Sequence, residues 1–227
     1  LLSSIVTGSS VVCTSGFNVL TFYENIKNFK PTWITAVPTM YQAILSRASR
    51  NKETIQTSSL RFLRSSSAAM PVATIETLEN VFQCPVIEAY GMTEASHQMA
   101  SNFLDGIRKA GSVGKSAGPE IALFKDNKLI TVPNTIGEIV IKGKNVTNGY
   151  KNNDKANKEN FFNGWFRTGD LGKFDEATIA YKQAIKIKPD YARAYSNLLL
   201  NLIYKTDFDL NFYLSEAKKF RLNCKTI

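Results

Sequence analysis

The chain of 227 residues has a single histidine, His97, and only three cysteines, Cys13, Cys84 and Cys224, far apart and odd in number. No CxxC pair occurs, so the set of about four close ligands that a structural zinc ion needs is not present in the pattern. The same scattering argues against a disulfide framework and for a reducing compartment, cytoplasmic or peroxisomal. No apolar run approaches the ~20 residues of a membrane-spanning helix; Leu198 to Leu200 is typical of the runs found. The opening LLSSIVTGSS has neither a starting methionine nor a basic start, unlike a normal signal peptide. A dense basic run is also missing. The 28 basic and 19 acidic residues leave a net charge of +9, but the lysines are spread from Lys27 to Lys225 with no aromatic platform between them. That pattern reads as a solvated basic surface, not a specific nucleic-acid site.

What is present is ordinary for a globular chain: 44% hydrophobic and 21% charged residues, enough to build a sizeable core. The first hundred residues alternate strand and helix patterns. Val11 and Val12 read as a short strand, Thr21 to Asn28 as a helix, and Trp33 to Val37 as a buried strand closed by Pro38. Met40 to Ala48 is expected to be helical, with Tyr41, Ile44 and Leu45 on one face. Leu60 to Leu63 reads as a strand leading into the small-residue loop SSSAA from Ser65. Pro71 to Phe82 reads as a helix opening on proline, its stripe being Ile75, Leu78 and Phe82. Val86 to Tyr90 is the next strand. This alternation implies an α/β fold with a mainly parallel sheet.

After about residue 103 the helical crossovers stop. Ile121 to Phe124, Leu129 to Val132 and Gly137 to Lys142 read as strands of a small antiparallel subdomain, and Asn152 to Asn160 as a polar surface helix. From Gly172 the spacing of Phe174, Ala177, Tyr181, Ala184 and Ile185 is helical. Pro189 ends that helix, and a second follows through Ala194, Tyr195, Leu198, Leu199, Leu202 and Ile203. Tyr213, Ala217 and Phe220 suggest a third. The expected organisation is a partial αβ domain over 1–103, a β-rich subdomain over 104–172 and an α-helical segment over 173–227.

One motif carries chemistry. Tyr90-Gly91-Met92-Thr93-Glu94 follows directly on a parallel strand, at the carboxyl end where open α/β sheets bind ligands. The ring of Tyr90 can stack on a base, and Gly91 lets backbone approach a ligand. The Thr93 hydroxyl can donate to phosphate, and Glu94 offers a hard oxygen to magnesium. Read without a ligand, the same residues are a turn with a capping threonine. Asn145-Val146-Thr147 matches a glycosylation sequon, but such triplets arise often by chance.

With its neighbours, this segment resembles the adenylate-forming acyl-CoA synthetases, the AMP-binding ligase family. Ser66, Ser67 and Ala68 stand where that family has a small-residue loop; GSVG (Gly111 to Gly114), GEIVIKG (Gly137 to Gly143) and Thr168-Gly169-Asp170 follow in family order. Segments such as TWITAVPTMYQAIL, RFLRSSSA, PVIEAYGMTEASH, RKAGSVGK and NVTNGYKNN are similar in wording to the oxalate–CoA ligase branch. The resemblance implies a two-step reaction using ATP, magnesium and coenzyme A as well as a small carboxylic acid. A carboxylate attacks the α-phosphate of ATP, and coenzyme A then displaces AMP. By position, Ser66 to Ala68 and Glu88, Ala89 and Tyr90 to Gly91 would line the nucleotide. Thr93 would hold phosphate, Glu94 would bind magnesium and Asp170 would take the ribose hydroxyls. His97 would recognise the second carboxylate of a diacid; a packed histidine bonded to backbone is the other reading, and both stay open here.

The resemblance also carries expectations about what lies elsewhere. The family's phosphate-binding loop and its C-terminal lysine-bearing domain have no counterpart in these residues, so the chain alone is expected to be inactive or nearly so. Residues 173–227 resemble a tetratricopeptide repeat and the start of the next. Beside the ligase reading stand two others: a helical protein-interaction module, and a chimeric product joined near Leu171-Gly172-Lys173 with no selected function.

Overall fold

The structure is a computed structural model that describes residues 2–105, 108–130 and 134–174. The helices expected over 175–227, and Cys224, lie outside the described residues. The chain divides into two compact units. One comprises Leu1–Tyr90 and Ser101–Gly114; the other comprises Gly91–Ala100 and the chain from Lys115 onward. Each is taken by itself.

In the first unit the elements are α1 (Leu2–Val6), α2 (Val19–Phe29), β1 (Trp33–Ala36), α3 (Pro38–Ala48), α4 (Lys52–Gln56), β2 (Phe62–Ser65), α5 (Val72–Phe82) and β3 (Val86–Tyr90). β1 pairs in parallel with β2, and β2 with β3, in the registers Trp33↔Phe62 and Leu63↔Val86. The Trp33 and Phe62 rings stack across the first pair, with centroids 5.5 Å apart. Three helices carry their apolar residues at 3.6-residue spacing. Tyr23 and Ile26 are buried on α2, Tyr41, Ile44 and Ala48 on α3, and Ile75, Leu78 and Phe82 on α5. Leu63 of β2 is completely buried, and Tyr23, Tyr41, Ile44, Leu63, Ile75 and Leu78 belong to one core.

Local chemistry sets the helix ends. The Asn18 side chain accepts from the Leu20 amide at 2.8 Å, and Pro38 stands in the first turn of α3. Two buried phenols place their hydroxyls on backbone: Tyr23 donates to the Ile44 carbonyl at 2.8 Å and Tyr41 to that of Arg64 at 2.9 Å. Burial pushes the Tyr23 pKa up to about 12 and raises that of Tyr41 as well.

Several expectations are corrected. Val11 and Val12 are 44% and 41% exposed and form no strand; β-branched residues make a strand only where a ladder partner and a packed face exist. The strand expected at Leu60 to Leu63 is shifted to Phe62–Ser65, because the registers with β1 and β3 decide its ends. Pro71 caps α5 from outside instead of opening it. The short α1 and α4 were not anticipated.

The second unit begins with a 3-10 turn (Thr93–Ala95) and contains β5 (Lys115–Ser116), β6 (Glu120–Lys125), β7 (Lys128–Ile130), β8 (Gly137–Lys142), α6 (Asp154–Asn160), β9 (Phe161–Phe162) and β10 (Trp165–Gly172). The two-residue β4 (Ala100–Ser101) lies where the chain passes back to the first unit. A sheet ordered β7-β6-β8-β10-β9 is antiparallel at each of its pairings. Its two hairpins turn on Asp126-Asn127 and Asn163-Gly164, all four residues at positive φ, as two-residue turns with the right twist require. Leu123, Val140, Ile141 and Phe166 are buried in this unit. The antiparallel arrangement and the polar α6, none of whose residues is buried, agree with the sequence reading. Phe174, expected to start the helical stripe, is not helical; its carbonyl accepts from the Asn134 amide at 3.1 Å.

Candidate functional site

The first unit holds one set of the motif residues at the carboxyl ends of β2 and β3. Ser66 follows β2 and is 8% exposed, its hydroxyl accepting from Arg64 Nη1 at 3.1 Å. Ser67 turns the chain at φ 73°, and Ser67 and Ala68 are exposed. Arg64 also reaches Thr35 Oγ1 at 3.2 Å, and partial burial lowers its pKa.

Glu88 and Ala89 on β3 are buried, at 7% and 5% exposure, whereas Tyr90 is half-buried. Glu88 was expected beside a nucleotide, but its carboxylate is committed to the protein. Oε2 accepts the Gly111 amide at 2.9 Å, the Met70 amide also bonds to this carboxylate, and the Glu88 carbonyl accepts the Asn102 amide at 2.9 Å. Burial raises the Glu88 pKa, and the two amides pull it partly back. The GSVG loop and the end of the SSSAA loop are thereby tied to β3 through one side chain.

The second unit holds the rest. A Cβ placed on Gly91 would lie 1.3 Å from the His97 carbonyl oxygen, so only glycine allows the loop to fold back on itself. Ser96 and His97 follow each other at φ 51° and 80°, and left-handed backbone at non-glycine residues costs about 1–3 kcal/mol each. Such strain persists only where surroundings over-determine it, and here the surroundings are explicit. The Asn145 amide donates to the Ala95 carbonyl at 2.9 Å, the Ser96 hydroxyl donates to the Asn145 carbonyl at 2.9 Å, and the Thr147 amide donates to the Glu94 carbonyl at 2.7 Å. The sequon at Asn145 is therefore a structural bracket whose amide nitrogen is already engaged.

Two readings of the YGMTE segment are now separated. Thr93 is not a helix cap: the cap position is Met92, and the exposed Thr93 hydroxyl has no hydrogen bond among the described residues. His97 is exposed on its left-handed backbone. Glu94 is half-buried, and its Oε1 accepts the Tyr150 hydroxyl at 2.9 Å. Tyr150 is in turn held by Asn157 of α6, which accepts the Tyr150 amide at 2.7 Å and donates to its carbonyl at 3.0 Å. Burial first, and then Glu94, raises the Tyr150 pKa. Sequence reading assigned Tyr150 no role; the only sequence signal for it was its place in NVTNGY.

Thr168-Gly169-Asp170 lies on β10 in a bulge. Arg167 pairs with Val140 and Leu171 with Glu138, so three residues stand opposite the single residue Ile139. The Thr168 hydroxyl donates to the Ile139 carbonyl at 2.8 Å and accepts the Asp170 amide at 3.1 Å. Gly169 takes φ 77°. The bulge turns Asp170 outward, where it is exposed.

Among the described residues no group of three or more His, Cys, Asp or Glu side chains could hold a metal. One carboxylate, Glu94, beside the Thr93 hydroxyl suits an ion that takes one or two carboxylates and completes its shell with phosphate and water. Cys84 is buried, its pKa pushed up to about 11 by burial and then by Glu79, and Cys13 is exposed. No helix of the described residues is long and apolar enough to cross a membrane.

The sequence pattern of the AMP-binding enzyme family matches residues 1–151, and that of the TPR repeat matches residues 170–198. The chain is 48% identical over 179 residues to an oxalate–CoA ligase of Arabidopsis thaliana, covering 77% of this chain and 35% of that protein. It is 44% identical over 178 residues to an oxalate–CoA ligase of Saccharomyces cerevisiae, covering 77% and 32%. The o-succinylbenzoate coenzyme A synthetase of Bacillus subtilis, solved with ATP and magnesium ion, superposes with a TM-score of 0.65 at 32% identity, over 77% of this chain and 36% of that one. The chain spans about a third of the length of the curated relatives it matches.

Proposed function

The chain belongs to the AMP-binding enzymes, and from that membership we propose that it is the nucleotide- and acid-binding segment of a carboxylate–CoA ligase acting on a small dicarboxylate of the oxalate type. The observation that carries this reading is the 48% identity to an oxalate–CoA ligase over 179 residues. In the reaction, a substrate carboxylate oxygen attacks the α-phosphorus of ATP, the bond to the β-phosphate oxygen breaks, and pyrophosphate leaves. The coenzyme A thiolate then attacks the acyl carbon of the adenylate and AMP departs.

Each unit supplies its own contacts. In the first, Ser66, Ser67, Ala68 and the backbone of Glu88 to Tyr90 border the base. The buried Glu88 carboxylate sets the shape of that border without touching the ligand. In the second, the exposed Thr93 hydroxyl donates to phosphate and the Asp170 carboxylate accepts the ribose hydroxyls. His97, exposed on its left-handed backbone, donates to the distal carboxylate of the acid. Glu94 would hold a magnesium ion, which when bound neutralises phosphate charge.

Binding is the direct test. Calorimetry of the full chain with 5′-O-sulfamoyl adenosine should show saturable binding that Asp170→Ala weakens several-fold, and ATP binding in magnesium should be lost in Glu94→Ala. Absence of heat with either ligand at high protein concentration would remove the reading. The TPR match at 170–198 favours a second reading, a partner-docking tail. A pull-down that depends on residues 173–227 would support it.

A further inference from the structure

The bulge that carries Asp170 is held by a residue to which no role has been given. Glu138 lies on β8, opposite Leu171 at the far end of the bulge. Both of its carboxylate oxygens are committed to the bulged strand. Oε2 accepts Arg167 Nε at 2.9 Å and Nη2 at 2.6 Å, and Oε1 accepts the Gly169 amide at 3.1 Å. The Glu138 side chain is 16% exposed and that of Arg167 is 41% exposed, so the pair is shielded chiefly on the carboxylate side. Arg167 also lies over the Phe124 ring, 5.6 Å from its centroid.

A bulge leaves residues without ladder partners, and unless something else fixes them, the outward side chain wanders. Here the residue before the bulge and its middle residue are gripped by the two oxygens of one carboxylate. The Thr168 hydroxyl fixes the other two positions, its own and that of Asp170, through the Ile139 carbonyl and the Asp170 amide. We propose that Glu138 is a positioning residue for Asp170: it locks the Thr168–Asp170 bulge in the one conformation that presents the Asp170 carboxylate to a ribose diol. The proposal rests on the ribose reading of Asp170. Glu138 touches no ligand itself, since its acceptors are used internally.

Glutamine makes the test sharp. A glutamine side chain has one acceptor and one donor, so in either orientation it must face a donor with a donor, losing either the arginine or the Gly169 contact. The experiment measures dissociation constants of the full chain for 5′-O-sulfamoyl adenosine and for its 2′,3′-dideoxy counterpart. In the wild type the ribose form is preferred, and Asp170→Ala erases the preference. Glu138→Gln is expected to cut the preference roughly three- to tenfold, the scale of one ordinary hydrogen bond, while dideoxy affinity stays unchanged. In the ligand-free chain the Gly169 amide should exchange faster in Glu138→Ala, which removes both contacts, with the Phe166 amide unaffected.

Retained dideoxy binding reports that a variant has folded. Should Glu138→Gln fail that check, Thr168→Val, which breaks the two side-chain bonds of the bulge, is read in the same way. Equal weakening of both ligands would make Glu138 merely structural and overturn the proposal, as would an unchanged preference. If Asp170→Ala also leaves the preference intact, the ribose reading falls and the proposal with it. If Asp170→Ala erases it and Glu138→Gln does not, only the proposal falls.

Discussion

The two units solve the same problem with different forces. The first buries aliphatic and aromatic side chains between helices and a parallel sheet, with Tyr41, Leu63 and Leu78 wholly enclosed. Its main polar bracket, Glu88, is itself buried. In the second, Leu123, Val140, Ile141 and Phe166 are buried, and the YGMTE turn is bracketed by directional bonds: the Asn145 amide to the Ala95 carbonyl, the Ser96 hydroxyl to the Asn145 carbonyl and the Tyr150 hydroxyl to the Glu94 carboxylate, with Asn157 holding Tyr150. Apolar burial is non-directional and tolerates small shifts. Hydrogen bonds hold only at set distances and angles, which suits the proposed role of a loop presenting a carboxylate and a hydroxyl.

The comparison can be broken in several ways. The largest effect is expected at Gly91, where Gly91→Ala forces a methyl into the His97 carbonyl and should cost more than about 4 kcal/mol. A soluble variant with near-native urea midpoint would show that the loop relaxes freely. Next is Leu63→Ala, which leaves a cavity in the first unit and should lower stability by about 2–5 kcal/mol. Hydrogen exchange should report that loss at Tyr41 and Leu78 amides and not at Val140.

Asn145→Ala removes a bracket of the second unit and should cost about 1–3 kcal/mol, because the Ala95 carbonyl loses its donor. A loss equal to that of Leu63→Ala would erase the distinction between the units. Tyr150→Phe is smaller, about 1 kcal/mol, since only a half-exposed hydrogen bond is deleted. Its mark should be weaker ATP binding in magnesium with unchanged binding in chelator, by calorimetry.

The smallest effect is a slope with pH. Burial keeps the Glu88 pKa above the ordinary glutamate value, so the folded chain holds that proton more tightly than the unfolded one. Stability from this group is therefore greatest below the ordinary value and declines as pH rises through the raised one. Urea midpoints of Glu88→Gln should lack that decline; identical pH curves for variant and wild type would refute it.

Periodic burial was easy to read in the residues. The stripe Ile75, Leu78, Phe82 and the strand Val86 to Tyr90 appear in the structure where spacing put them, because each lies on one face of a regular element. The Asn163-Gly164 hairpin turn, which fits the Asn-Gly preference, was not anticipated. The limits of β2 were not legible, since neighbouring strands decide them. Nor were the partners of the motif: Tyr150 stands 56 residues from Glu94, and Glu138 stands 31 from Gly169. No local rule links such pairs.

Sequence by itself determined the strand–helix alternation, the family and the residue types of the motif, because these follow from short-range spacing and wording. Only tertiary structure decided which of those residues face outward and which are locked. Thr93, His97 and Asp170 are exposed while Glu88 is sealed by the Gly111 and Met70 amides. Exposure is a property of what packs around a side chain, and hydrogen-bond partners far apart in sequence meet only once the chain has closed.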